Sequence, residues 1–215
     1  MGARHAVPSW TLALAGASAV VFLLLAALVA LRLTGPSDLG WMLAFQSVAS
    51  YPLDVVANLH TLIGLLNVTL PLAAILCVVT WRRVGGQAWL APLFILATGA
   101  IELAFKYLVA HPGPPAEFVR AFAYLGPPAE WRPPFSFPSG HLARLTFLSL
   151  VVIGLWPHRW LAVALAAFLA FSVFLRVYIG DHWISDALGG AALGSSAGAL
   201  AVGWMRATAR TSGHK

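Results

Sequence analysis

From Trp10 to Leu31 the chain carries no charged side chain, and five more apolar runs follow. The six runs are Trp10–Leu33, Val55–Trp81, Ala88–Ala110, Gly140–Trp156, Trp160–Ile179 and Ser185–Met205. At 1.5 Å per residue, helices of such length cross a hydrocarbon core of about 30 Å. Only 9% of the residues are charged and 60% are hydrophobic, so a water-soluble fold could not cover the apolar surface. The runs are unbroken and lack the period-two alternation of a β-barrel. The expected fold is all-α: a polytopic membrane protein with six transmembrane helices in one bundle, a single domain over residues 1–215. Arg4 and His5 precede the first run, but that run is too long for a typical signal core and is expected to stay as a span. Cys77 is the single cysteine, lies inside an apolar run and reads as a small buried hydrophobe.

The charges separate by face. With the N-terminus inside, Arg4, Arg82, Arg83, Arg159, Arg206, Arg210 and Lys215 fall on one side. Asp38, Asp54, Glu102, Glu117, Glu130, Asp181 and Asp186 fall toward the other. The positive-inside rule then places both termini in the cytoplasm of a cell with this protein in its inner (plasma) membrane. The net charge of +6 is explained by topology and anionic lipid, with no nucleic-acid partner expected. Glu102, Lys106, His141, Arg144, Arg176, His182 and Asp186 all gather at the outer face. Ionisable groups at span ends are costly and mark function by default. The proline-rich linker 111–138 joins the third and fourth runs there and has the length of a functional lid or mouth. Within Thr34–Asp54, Trp41–Phe45 could form a short interfacial helix. Asn67 and His60 read as helix–helix hydrogen-bonding residues.

Three segments carry chemistry. Pro138-Ser139-Gly140-His141 has the grammar of a helix start, with serine as the cap. Its N–H groups make an anion site, glycine admits a close backbone approach, and His141 on the first turn can exchange a proton. In Arg176–Asp186, His182 and Asp186 stand four apart. Asp186 can hold one imidazole nitrogen protonated and leave the other free as nucleophile or base. Arg176 can fork onto phosphate oxygens. Lys106 closes the third run as a phosphate clamp or as a snorkelling lysine paired with Glu102. His and Asp at this spacing could also suit zinc, but the lone buried cysteine and absent HExxH arrangement argue against a metal.

Together these segments resemble the type-2 phosphatidic acid phosphatase family, membrane relatives of the vanadium haloperoxidases. The family's pattern is a lysine, six residues and Arg-Pro; then Pro-Ser-Gly-His; then an arginine, five residues, a histidine, three residues and an aspartate. The second and third elements match in full. The resemblance implies a metal-independent, cofactor-free hydrolase of lipid phosphates. His182 would form a phosphohistidine, Asp186 would orient it, and His141 would serve as acid and then base. Lys106, Ser139, Gly140 and Arg176 would bind phosphate. Two positions depart: Gly113 stands where the family has arginine, and Leu175 where it often has serine. Arg144, one turn after His141, could supply the missing charge, with Arg120 and Arg132 as other candidates. Undecaprenyl diphosphate, phosphatidic acid and phosphatidylglycerol phosphate all fit the motifs. A phosphotransferase using the same histidine, and a non-catalytic lipid-binding or transport protein, are the alternative functions.

Overall fold

A computed structural model describes residues 9–122 and 133–209. Arg4, His5, Glu130, Arg132, Arg210 and Lys215, which enter the expectations above, lie outside the described residues. Eight α-helices run through the described chain: α1 Ser9–Ala30, α2 Gly35–Gln46, α3 Tyr51–Thr61, α4 Leu66–Arg83, α5 Phe94–Leu108, α6 Gly140–Leu155, α7 Arg159–Tyr178 and α8 Ile184–Ala207. No strand occurs among the described residues. Among the described residues five helical segments are long and apolar enough to cross a membrane: α1, α4, α5 with its preceding 3₁₀ turns (Ala88–Leu108), α7 and α8.

Two expected spans come out differently. The run Val55–Trp81 is not one helix. A 3₁₀ turn at Leu62–Gly64 and an extended Leu65 separate α3 from α4. The joint exposes carbonyl groups that α6 then uses, as shown below. Unwound backbone at this depth is tolerated where protein covers it. The run at Gly140 gives α6 only 16 residues, short of the roughly 20 that a straight helix needs to cross the hydrocarbon core. Most of α6 is buried against other helices, so it faces protein along most of its length. The interfacial helix expected around Trp41–Phe45 is the longer α2. It buries Asp38 and Met42 and exposes Leu39, Trp41 and Leu43.

α8 is the inner helix. In its most apolar 18-residue window 61% of residues are buried, against 22% in α1, α4 and α7. Its small residues explain this. Gly190, Gly194 and Gly198 recur every fourth residue, so they form one stripe. A methyl group on Gly190 would strike the Ser139 carbonyl, and one on Gly194 the Ala143 carbonyl. One on Gly198 would press on Leu150 at 2.9 Å. Such close backbone approach is how helices gain contact where lipid offers no hydrophobic drive. α1 covers another side of α8, while Phe22 stacks on Phe137 and meets Phe105 edge-on.

The bundle's two ends differ in charge. At one end Arg83 lies over Trp156 and Arg206 donates to the Gly154 carbonyl. The other end holds Asp38, Asp54, Lys106, His111, His141, Arg176, His182 and Asp186, joined by the bonds described next.

Candidate active site

The starts of α6 and α8 are stitched together. The Ser139 N–H donates to the Asp186 carbonyl at 2.9 Å. This corrects one sequence expectation: the Ser139 N–H is not free for an anion. The N–H groups of Gly140 and His141 remain, as first-turn donors without intrahelical partners. Ser139 does occupy the N-cap position, but its hydroxyl makes no capping bond; it is buried and has no partner. Gly140 gives room to the Glu102 carboxylate, which a side chain there would displace.

His182 lies in the short loop before α8. Its Nδ1 is 3.4 Å from Asp186 Oδ2. The same oxygen accepts from Ser136 Oγ at 2.6 Å and from the Trp183 N–H at 3.0 Å. Asp186 is fully buried and His182 nearly so. Burial lowers the His182 pKa below its usual value of 6.5, and Lys106 and Arg176 push it the same way against the pull of Asp186. The imidazole is therefore held neutral near neutral pH, with Nδ1 turned to the carboxylate and Nε2 left as the free nitrogen.

His141 and Arg144 both turn toward the α3–α4 joint. His141 Nε2 stands 3.3 Å from the Thr61 carbonyl. Arg144 reaches the Gly64 carbonyl through Nη2 at 3.0 Å and Nε at 3.4 Å, and Glu102 through Nη1 at 3.1 Å. These bonds use three of its five N–H groups. The ion pair of Glu102 is thus with Arg144, while Lys106 donates to the Ser136 carbonyl at 3.1 Å. Gly64 must lack a side chain, because the His141 ring occupies the space a Cβ would need. Arg176 bonds Thr61 Oγ1 at 3.0 Å and pairs with Asp181 at 2.7 Å. Of the two arginines considered for the Gly113 position that fall among the described residues, Arg144 is at the cluster. Arg120 is committed to Asp54 on the α3 side.

Several contributing residues carry no motif. Asp38 caps α8, accepting from the Ser185 N–H at 3.0 Å and Ser185 Oγ at 2.9 Å. The loop after α5 is pinned at several points. Gln46 donates to the carbonyls of Phe118 and Tyr178, Arg120 N–H donates to the Ile179 carbonyl, and Tyr178 OH donates to Asp54. Gly180 takes a φ of +78° where Phe118 leaves no room for a side chain. Trp183 donates to the Pro112 carbonyl and lines a cavity of about 580 Å³ with Arg32, Asp38, His111 and Gly113. Asp186 is the residue most easily predicted from spacing, while Ser136, its shortest partner, carries no such signal. His60 bonds Ser172 across α3 and α7, as expected of an intramembrane histidine, whereas Asn67 is exposed.

The PAP2 superfamily model matches this chain over residues 87–210. The fold is similar to that of a transmembrane PAP2-type phosphatidylglycerolphosphate phosphatase from Bacillus subtilis, with a TM-score of 0.70 and 21% identity over 87% of this chain and 94% of that one. It is similar also to LpxE from Aquifex aeolicus, with a TM-score of 0.60 and 20% identity over 76% of this chain and 93% of that one. A lipid A 4'-phosphatase from Bacteroides thetaiotaomicron is 33% identical over 66 residues. That stretch is 31% of this chain and 29% of the relative, so the two share under a third of their length.

Proposed function

Because the chain belongs to the PAP2 superfamily, we propose that it is an integral-membrane, metal-independent phosphatase of lipid mono- or diphosphates. The observation that carries this reading is the buried His182–Asp186 pair beside the α6 start, with cationic Lys106 and Arg176 acting on the same imidazole.

In the proposed reaction, His182 Nε2 attacks phosphorus and the bond to the leaving lipid oxygen breaks. Asp186 holds the Nδ1 proton and stabilises the positive charge that grows on the ring. His141 gives its proton to the departing alkoxide, or to the departing phosphate when the substrate is a diphosphate. It then takes a proton from the water that cleaves the phosphohistidine, releasing inorganic phosphate and restoring both histidines. Lys106, Arg176, the Ser139 hydroxyl and the Gly140 and His141 N–H groups would hold the phosphoryl oxygens. Arg144, with two N–H groups beyond its described bonds, would take the place left by Gly113. The bundle would cross the plasma membrane six times, α6 included, with both termini cytoplasmic and the site outward. The lipid tail would reach it laterally.

The cavity beside Gly113 and Trp183 also suits a second substrate, which favours phosphotransfer to an alcohol as the alternative reading. One experiment separates the readings. Purified protein in detergent is given phosphatidic acid, phosphatidylglycerol phosphate and undecaprenyl diphosphate, with and without chelator. Release of free phosphate that persists with chelator and vanishes in His182→Ala is expected. Label passing to an added alcohol in place of water would move the reading to a transferase. Chelator-sensitive turnover, or release unaffected by His182→Ala, would overturn it.

A further inference from the structure

His111 is the residue that the preceding reading leaves without work. Its Nε2 lies 3.7 Å from Asp186 Oδ1 and 3.8 Å from Asp38 Oδ2. The ring is 12% exposed, Asp38 2% and Asp186 not at all. Both Nε2 of His111 and Oδ1 of Asp186 are buried without a closer partner. The two oxygens of Asp186 thus differ sharply. Oδ2 gathers Ser136, Trp183 and His182, while Oδ1 has no hydrogen bond among the described residues and lies 3.7 Å from His111. A buried carboxylate oxygen with no donor is costly, and a carboxylate held on one side can swing about its Cβ–Cγ bond. Among the described residues no three His, Cys, Asp or Glu side chains are set to hold a metal.

We propose that His111 is a positioning residue for the reaction above. Its Nε2, set between Asp38 and Asp186 at ion-pair distances longer than a hydrogen bond, bridges the two electrostatically and fixes the plane of the carboxylate that orients His182. The inference rests on the phosphatase reading for its kinetic consequence but not for its structural one. Three segments meet in the bridge. Asp38 comes from α2, where it also caps α8 through Ser185. His111 comes from the loop after α5, and Ser136 of the same loop donates to its carbonyl through N–H at 2.9 Å. Asp186 comes from the first turn of α8. The bridge therefore ties the loop to the nucleophile's partner through side chains, and to Ser136 through backbone. His111 also lines the cavity beside Trp183 and Gly113, so a headgroup there would lie against the bridge.

The variants His111→Ala and His111→Gln test this beside wild type and His182→Ala. Partners that hold a functional ligand from behind typically matter about 10- to 100-fold. His111→Ala is expected to lower kcat by such a factor with KM unchanged, since Lys106 and Arg176 are untouched. His111→Gln, which keeps a side-chain N–H, is expected to recover much of the loss. A second readout needs no turnover: ¹⁵N-histidine NMR of the His182 ring, assigned by its disappearance in His182→Ala. Wild type should show the Nδ1–H tautomer, and His111→Ala a mixture. If wild type releases no phosphate, the phosphatase reading fails while the NMR arm still decides the bridge. An unchanged tautomer in His111→Ala overturns the proposal. So does a loss in which kcat, KM and thermal midpoint move together without rescue by His111→Gln.

Discussion

Asp54 accepts from Arg120 Nε at 2.7 Å, from its Nη2 at 2.8 Å and from Tyr178 OH at 2.6 Å. The Arg120 guanidinium holds the Asp54 carboxyl below its usual value of 3.8, outweighing desolvation. A carboxylate lowered in the folded state contributes stability that is present above its unfolded value and lost as pH falls through the folded one. The loop at Ala116–Phe122 should therefore stay anchored at neutral pH and loosen only in strong acid, below 3.8. Asp54→Asn at pH 7 is expected to reproduce that loosening. The check is amide exchange at Arg120 and Phe122, whose N–H groups bond the Ile179 carbonyl and Asn58 Oδ1. At this scale the sequence was legible where spacing and chemistry coincide: His182 and Asp186 at four residues, His141 after Pro138-Ser139-Gly140. It was not legible for Asp38, His111, Ser136 and Thr61. Their contacts carry no spacing signal, even for His111 inside the Lys106–Gly113 segment, and only the fold brings them within reach. Ser139 shows a subtler limit, because composition announces a cap but not which neighbour takes its N–H.

Between elements, the α6–α8 seam is built from glycine against carbonyl. Gly190→Ala and Gly194→Ala would force the helices apart, at a cost of about 1–3 kcal/mol each for overpacking. Both should lower the thermal midpoint in detergent, and Gly190→Ala, beside Ser139, should lower turnover as well. Gly99→Ala is the control: no atom lies within 4 Å of the added methyl, so the midpoint should hold or rise. An unchanged midpoint in both seam variants would show that the seam is not tight. Boundaries of the long apolar runs were legible from hydropathy except at α3–α4 and at the 3₁₀ start of α5, while α2 extends well beyond Trp41–Phe45. An apolar run longer than 25 residues reads as one tilted helix unless some group claims its inner carbonyls. The claimants, Arg144 and His141, are about 80 residues away in sequence.

On the scale of the whole molecule, the charge separation between the two ends supports an outward site, and this is directly testable. In a Cys77→Ser background, Gly113→Cys should react with an impermeant maleimide on intact cells, while Val84→Cys should react only after lysis. The reverse pattern would invert the proposed orientation. The all-helical class was legible from composition together with run length, because 60% hydrophobic residues point to a membrane and unbroken apolar runs point to helices. The number of crossings was less so, since α6 meets protein along most of its length and escapes the bilayer's demand for some 20 apolar residues.

The glycine seam also bears on manufacture, in the sense of mechanical tolerance. Side-chain packing between helices has play in it, because rotamers can be exchanged as temperature, detergent or lipid changes. A joint of Cα against carbonyl oxygen has no rotamers to exchange. The gap between His141 at the head of α6 and His182 at the head of α8 is therefore gauged by parts that cannot be adjusted. The same dimension should survive transfer from bilayer to micelle, as a machine keeps its alignment when its bearing surfaces are hard.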